Sequence, residues 1–435
     1  MSSSEAKRFI GINLMPGVNG WNMSGYFLAC CIGIMLATFV PGMQPYLLTE
    51  FLRIPEAEQG RVTGQISFIG EVALIISVGF WGPLSDRIGR KPVLAAAFAL
   101  VAAACYFFPR SDTYLELAFA RILFACGFAA YSCIVVVLLA EYARADSRGK
   151  AMGIHGFANG LGALISVFVL LRLPKKLQDQ GADALTAAAD VYMLVTWVCL
   201  ALVAVILVGF KESNTDSDSR SERLLEIVRK GLRAANDPVI LLSYGAAFVS
   251  RGNLTVVGGF LTLWLVQHGA LELDMSTADA FARAGIIFGI VNTLALVGAP
   301  AFGILTDRID QFRSLMVAMA CSALGYGSTF FIGDPFGTAM IACAIFIGLG
   351  EVGCIITSSV LIAQRSPADV RGAVVSFFNM CGALGIMVAS IVGGYLFDAW
   401  RPVGPFVLFA GFALVVFCWA WLLMRMGVDV SKAKG

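Results

Sequence analysis

Twelve apolar runs, most of them about twenty residues or longer, alternate with short polar loops along this chain, near 24–49, 60–84, 92–109, 114–142, 150–172, 189–210, 238–268, 280–305, 313–332, 336–363, 371–398 and 403–426. A bilayer core of about 30 Å is crossed by about 20 helical residues, so each run is long enough to span it. Barrel strands are shorter and alternate in polarity, and an open sheet edge in lipid leaves backbone groups unpaired, so the runs are read as helices. Of the 435 residues, 58% are hydrophobic and 14% charged, with a mean hydropathy of +0.81. A soluble domain of this length cannot hide so much apolar surface behind so few charges.

Lysine and arginine placement sets the orientation. Of the 31 basic residues, 21 fall on one set of alternate loops with the termini, eight on the other set, and two inside spans. The positive-inside rule then puts both termini in the cytoplasm, as expected of a multi-pass protein of a bacterial inner membrane. The net charge of +2 carries no signal for nucleic acid. Residues 1–22 are polar and mixed, unlike a cleavable leader. Eleven cysteines lie in or against the apolar runs without C-x-x-C spacing, which reads as helix packing rather than a disulfide framework or a zinc site. The only histidines are His155 and His268, a poor basis for a metal centre.

A polar stretch, Gly82-Pro83-Leu84-Ser85-Asp86-Arg87-Ile88-Gly89-Arg90-Lys91-Pro92, closes the second run, and Gly303-Ile304-Leu305-Thr306-Asp307-Arg308-Ile309 echoes it 221 residues later. Asp146-Ser147-Arg148-Gly149 is echoed by Asp369-Val370-Arg371-Gly372 at an offset of 223. Two loops in nearly one register imply an internal duplication. The G-x-x-[ST]-D-R-x-G-R-[KR] loop resembles the signature loop between helices two and three of the major facilitator superfamily. That resemblance covers roughly residues 24–426. It implies an all-α membrane protein, twelve transmembrane helices in two six-helix bundles related by a pseudo-two-fold axis along the membrane normal, with a substrate cavity between them. The expected organisation is a cytoplasmic segment 1–23, a bundle 24–210, a cytoplasmic linker with a short surface helix 211–237, a second bundle 238–426 and a tail 427–435.

In the signature loops Gly82, Asp86, Arg87, Gly89, Arg90 and Lys91, with Asp307 and Arg308, are candidate gating residues: a carboxylate at a helix end can hold the amino end of a neighbouring helix or a basic partner. The second copy has Asp310-Gln311-Phe312 where the first has Gly-Arg-Lys, so its latch is expected to be the weaker. Topology control by positive charge alone is the competing reading.

Four ionisable side chains fall inside spans, one acid and one base per half: Glu71, Arg121, Arg251 and Glu351. At 1.5 Å per residue they lie roughly 16, 10, 20 and 22 Å from the starting ends of their runs, too deep to reach an interface easily. Such groups persist chiefly where they pair or line water. Arg121-Ile122-Leu123-Phe124-Ala125-Cys126-Gly127-Phe128-Ala129 resembles the R-x-x-x-x-x-G-x-[AG] motif of proton-linked members of the superfamily, with Glu71 the natural partner of Arg121. Gly348-Leu349-Gly350-Glu351-Val352-Gly353 resembles the glycine-rich span-ten segment of several bacterial members. Glu351 with Arg251 is the second candidate centre, and at least one glutamate is expected to carry the coupling proton. Ion pairs that merely brace each bundle are the alternative. Thr38, Gln44, His155, Asn159, Asn253, Gln267, Asn292 and Asn379 are candidates to line the cavity, each also able to serve as interhelical glue. Trp264 is expected to anchor at an interface.

No Walker A loop, H-E-x-x-H or serine-nucleophile motif occurs, so the chain does not read as an enzyme and no cofactor is implied. The expected function is secondary transport of a small organic solute, proton-coupled, by a monomer whose partners are solute, proton and lipid bilayer. Uncoupled facilitated diffusion stays open. A non-transporting sensor is disfavoured because the chain stops about nine residues past the last run.

Overall fold

The computed structural model describes residues 8–211, 224–367 and 370–428. The acidic, serine-rich first part of the linker and Asp369 of the second loop pair lie outside the described residues. Among the described residues, twelve helices are long and apolar enough to cross a membrane: span 1 (Gly20–Phe51), span 2 (Glu56–Ile88), span 3 (Arg90–Arg110), span 4 (Tyr114–Tyr142), span 5 (Arg148–Asp179), span 6 (Ala184–Gly209), span 7 (Pro238–Glu272), span 8 (Thr277–Arg308), span 9 (Gln311–Phe331), span 10 (Thr338–Arg365), span 11 (Arg371–Ala399) and span 12 (Gly404–Arg425). Their starts follow local chemistry. Asn19 with Asn22, and Thr113 with Glu116, close reciprocal capping boxes, while Asp183, Asp237, Ser276 and Asp310 accept first-turn N–H groups of spans 6, 7, 8 and 9.

Two compact units divide the chain: Met1–Arg53 with Ile69–Arg220, and Ile54–Phe68 with Ser221–Gly435. The first turns of span 2 therefore go with the second unit. There the Asp398 carboxylate accepts from the Gly60 and Arg61 N–H groups at 2.9 and 2.7 Å, and Gln267 Nε2 donates to the Glu56 carbonyl and to Gln59 Oε1 at 3.0 and 3.1 Å.

Glycine sets the closest helix approaches within each unit, and the same positions recur. A Cβ on Gly127 of span 4 would lie 2.6 Å from the Ala97 carbonyl oxygen of span 3, and one on Gly350 of span 10 would lie 2.6 Å from Ser322 Cα of span 9. On Gly162 of span 5 it would lie 2.0 Å from the Cys31 carbonyl oxygen of span 1, and on Gly385 of span 11 it would lie 2.0 Å from that of Phe248 in span 7. Both pairs are 223 residues apart, the offset of the second loop pair. The duplication thus extends from loop sequence to backbone packing, where small residues let helices touch in a solvent that offers no hydrophobic drive for association.

One element has no sequence signature. Arg8–Phe9 and Ile12–Asn13 form a two-stranded hairpin turning at Ile10 and Gly11, both with positive φ. It docks on the loop after span 4: Asn13 N–H donates to Ser147 Oγ, Asn13 Nδ2 to Asp146, and the Arg144 and Met15 N–H groups to the Asn13 and Tyr142 carbonyls. Ile12 and Leu14 are buried by that docking.

Candidate functional site

Span 2 ends at the first signature loop, where Gly89, at φ 93°, supplies the left-handed turn into span 3. Ser85 Oγ donates to the Gly82 carbonyl at 2.7 Å, and Arg90 reaches back to Ser85 Oγ and pairs with Asp86. Arg90 Nε also meets Glu141 in the last turn of span 4 at 3.3 Å. Asp86, Arg90 and Glu141 thus form one charged cluster inside the first unit. The second loop keeps the hydroxyl bond, Thr306 Oγ1 to the Gly303 carbonyl at 2.7 Å, but Asp310 there caps span 9 through Phe312 and Arg313 N–H. The other loop pair is matched as well. Arg148 donates to the Ala143 and Ala140 carbonyls closing span 4, and Arg371 to the Ser366 carbonyl just past span 10. Arg365, almost fully buried, grips Asp237 at 2.6 and 2.7 Å, joining the end of span 10 to the start of span 7.

From the sequence Arg365 reads only as one of the basic residues that set orientation, and Glu141 is not singled out. The usable signal is that each sits in the last turn of its span, Glu141 on the side where basic residues collect and Arg365 at the same level as the acidic start of span 7.

Deep in the first unit, Arg121 of span 4 lies against span 2 at Gly70, whose Cβ would fall 2.6 Å from Arg121 Nε. The missing side chain admits the guanidinium, and the next residue, Glu71, is its first electrostatic partner. Tyr192 of span 6 is its second, and the Phe124 ring lies 5.6 Å from its Cζ. Arg121 Nε and Nη1 and the Tyr192 hydroxyl are buried without hydrogen-bond partners among the described residues. A buried cation with unspent donors beside a carboxylate is equipped to exchange charge partners.

Span 5 brings a second polar group to span 1. His155 Nδ1 lies 2.9 Å from the Tyr26 hydroxyl, and Asn159 Nδ2 lies 3.0 Å from His155 Nε2. A neutral imidazole carries one N–H, so with Asn159 donating to Nε2 the other nitrogen donates to Tyr26. Asn159 Oδ1 is left buried without a partner among the described residues.

The other expected positions scatter. Glu351 has Tyr326 and Cys354 as electrostatic neighbours, while Arg251 lies against Gly382 of span 11. Asn253, fully buried, donates to Ser322 Oγ at 3.0 Å. Asn292 Nδ2 donates to its own helix at the Phe288 carbonyl. Thr38 is half-buried, Gln44 buried and Asn379 exposed. Trp264 is no interface anchor: it is 6% exposed and its ring centroid sits 5.6 Å from that of Phe406, because packing inside span 7's own unit outweighs the aromatic preference for headgroups.

Twelve apolar helices, a backbone frame copied within the chain and charges held at bilayer depth define a polytopic membrane transporter. A family model described as Major Facilitator Superfamily matches residues 25–389, with a second match over 246–435, and the chain belongs to that superfamily. Among its relatives, magnetosome protein MamH of Paramagnetospirillum magneticum is 25% identical over 92% of this chain and 91% of its own length. Magnetosome protein MamZ of the same organism is 27% identical over 94% of this chain, which spans 63% of that relative. The sialic acid transporter NanX of Escherichia coli is 22% identical over 89% of this chain and 91% of its own. Among solved structures, the nucleoside transporter NupG has a TM-score of 0.72 at 13% identity, covering 94% of this chain and 99% of its own. A D-xylose-proton symporter has a TM-score of 0.70 at 15% identity, covering 92% and 97%. These solved structures share the fold.

Proposed function

We propose that this transporter moves a small organic solute by proton-coupled alternating access, as a monomer in a bacterial inner membrane with both termini cytoplasmic. One observation carries the coupling: Arg121, buried with unspent donors, beside Glu71. Arginine stays cationic, so a change of charge in this pair falls to the glutamate. Protonating Glu71 removes the ion pair and leaves the guanidinium free to hold a solute acceptor or Tyr192. Deprotonation restores the pair and releases the proton. The His155, Asn159 and Tyr26 group is assigned to solute recognition, because Asn159 Oδ1 is an acceptor lacking a donor. Asp86 and Arg90 are assigned to gating through their link to Glu141.

The test begins with a thermal-shift screen of purified protein against organic acids, sugars and nucleosides, since a ligand that binds only the folded state raises apparent stability. Proteoliposomes loaded against an imposed pH gradient are then assayed with each hit. Glu71→Gln should abolish accumulation while solute binding survives. Normal accumulation by this variant would reject coupling through Glu71.

A further inference from the structure

A second buried polar cluster, in the second unit, differs from that around Arg121: the atoms it leaves unpartnered are acceptor oxygens. Asn253 of span 7 spends its Nδ2 on Ser322 Oγ, and its backbone carbonyl accepts from the Tyr326 hydroxyl at 3.2 Å. The Cys354 thiol donates to Met319 Sδ at 3.7 Å, and Tyr326 and Cys354 are electrostatic neighbours of Glu351. Gly350, one residue before Glu351, abuts Ser322, which brings spans 9 and 10 together at this level. After these bonds, Asn253 Oδ1 and Glu351 Oε2 are buried with no hydrogen-bond partner among the described residues. Asn253 is wholly inaccessible, so water at the surface cannot satisfy it.

Just beyond Asn253 the helix opens into a π-helical stretch, Val256–Leu261. Such breaks cluster at functional sites, and interrupted helices are where transporters place ion ligands. Arg251, two residues before Asn253, has the stem of its side chain against Gly382 of span 11.

From these observations we propose that Asn253 Oδ1, Glu351 Oε2, Ser322 Oγ and the Tyr326 hydroxyl oxygen form a binding site for a small monovalent metal cation, of the size of sodium. Hard oxygen donors from a carboxylate, an amide and hydroxyls suit a hard cation. One carboxylate balances one positive charge, whereas a divalent ion would leave a buried net charge. A single proton bridges two oxygens, while a metal cation takes lone pairs from all four at once. The Tyr326 hydroxyl directs its hydrogen to the Asn253 carbonyl and keeps its lone pairs, and Ser322 Oγ, which accepts from Asn253 Nδ2, has a second lone pair to offer.

The full chain, purified in detergent, is tested by its tryptophan-reported unfolding temperature while sodium chloride replaces choline chloride at constant ionic strength. A saturable rise with sodium is expected, smaller with potassium, with at least about a tenfold weaker apparent affinity in Glu351→Gln and a weaker response in Ser322→Ala. Glu351→Gln is isosteric and removes only the charge, and its folding is checked by gel filtration, with Ser322→Ala as the independent variant. Equal unfolding temperatures in sodium and choline would overturn the proposal. So would a sodium response unchanged in both variants, and so would stabilisation that follows acidification but ignores sodium, the mark of a protonated Glu351. Because binding is read without solute or gradient, its failure leaves coupling through Glu71 untouched, and the converse also holds.

Discussion

The two halves of this molecule agree where backbone meets backbone and disagree in the charged and polar side chains carried inside the spans. Gly127 and Gly350, and Gly162 and Gly385, occupy one register and make the same kind of close approach. The charges do not follow that register. Arg121 is matched by Ala344, Glu71 by Asn292, Glu351 by Phe128 and Asn159 by Gly382. A glycine against a carbonyl oxygen admits no substitute, since neither partner can rotate aside. A polar side chain at a cavity or helix face can be exchanged without moving the frame. Duplication therefore preserved the scaffold, while the chemistry settled separately in each half.

The largest expected effect tests the shared frame. Gly162→Ala and Gly385→Ala each drive a methyl to within 2.0 Å of a backbone oxygen, so each should cost more than the roughly 1–3 kcal/mol usual for overpacking and sharply reduce monodisperse protein. Gly156→Ala and Gly372→Ala, which meet nothing within 4 Å, are the controls. If one half tolerated its substitution, the packing would not be a true repeat.

Next come the ion pairs at the ends of spans 4 and 10. Arg365 is 3% exposed, so Arg365→Met strands the Asp237 carboxylate and should cost about 3 kcal/mol in a denaturation assay. Arg90 is more open, and Arg90→Met should cost about 1 kcal/mol or less. A reversed order would mean that burial is not what separates the two clusters. Smaller again is the contrast between the loops: Asp86→Asn should speed amide hydrogen exchange over residues 82–92 several-fold, whereas Asp307→Asn should change 303–313 less than twofold, because Arg90 has no counterpart in the second copy.

The sequence carried the spans well, because a bilayer imposes a length that a run of apolar residues reports directly. It also carried the duplication, through two loops whose residues are constrained by the turns they make. Tertiary choices were out of its reach. Asp86 and Arg90 share one loop, but Glu141 lies 51 residues further along the chain, and nothing local tells which acid at a span end an arginine will select. Gln267 reads as a cavity residue by polarity, yet it holds the amino end of span 2. The hairpin at Arg8–Asn13 has strands too short for any period, and exists because the loop at Ala143–Ser147 offers it hydrogen-bond partners. Of the buried charges, their presence was visible and their partners only in part: Glu71 was expected beside Arg121, whereas Glu351, expected with Arg251, has Tyr326 and Cys354 as neighbours.

The smallest effect concerns helix starts. Asp183 caps span 6, and the Thr186 hydroxyl and N–H groups hold its carboxyl below the usual range, whereas span 12 opens on Gly404-Pro405 without a side-chain cap. A lowered folded-state pKa means the cap contributes above the unfolded value of about 3.9 and is lost as acid protonates it. Asp183→Asn should therefore lower the unfolding temperature slightly at pH 7, with the gap closing below about pH 4.

Divergence of charge between the halves is tested most directly by following internal pH in proteoliposomes on addition of a solute found by the thermal-shift screen, comparing wild type, Glu71→Gln and Glu351→Gln. Wild type should move protons with solute, Glu71→Gln should bind solute and move none, and Glu351→Gln should still move protons on addition of solute. Proton movement that survives Glu71→Gln and disappears with Glu351→Gln would contradict the account, placing the coupling chemistry in the other half.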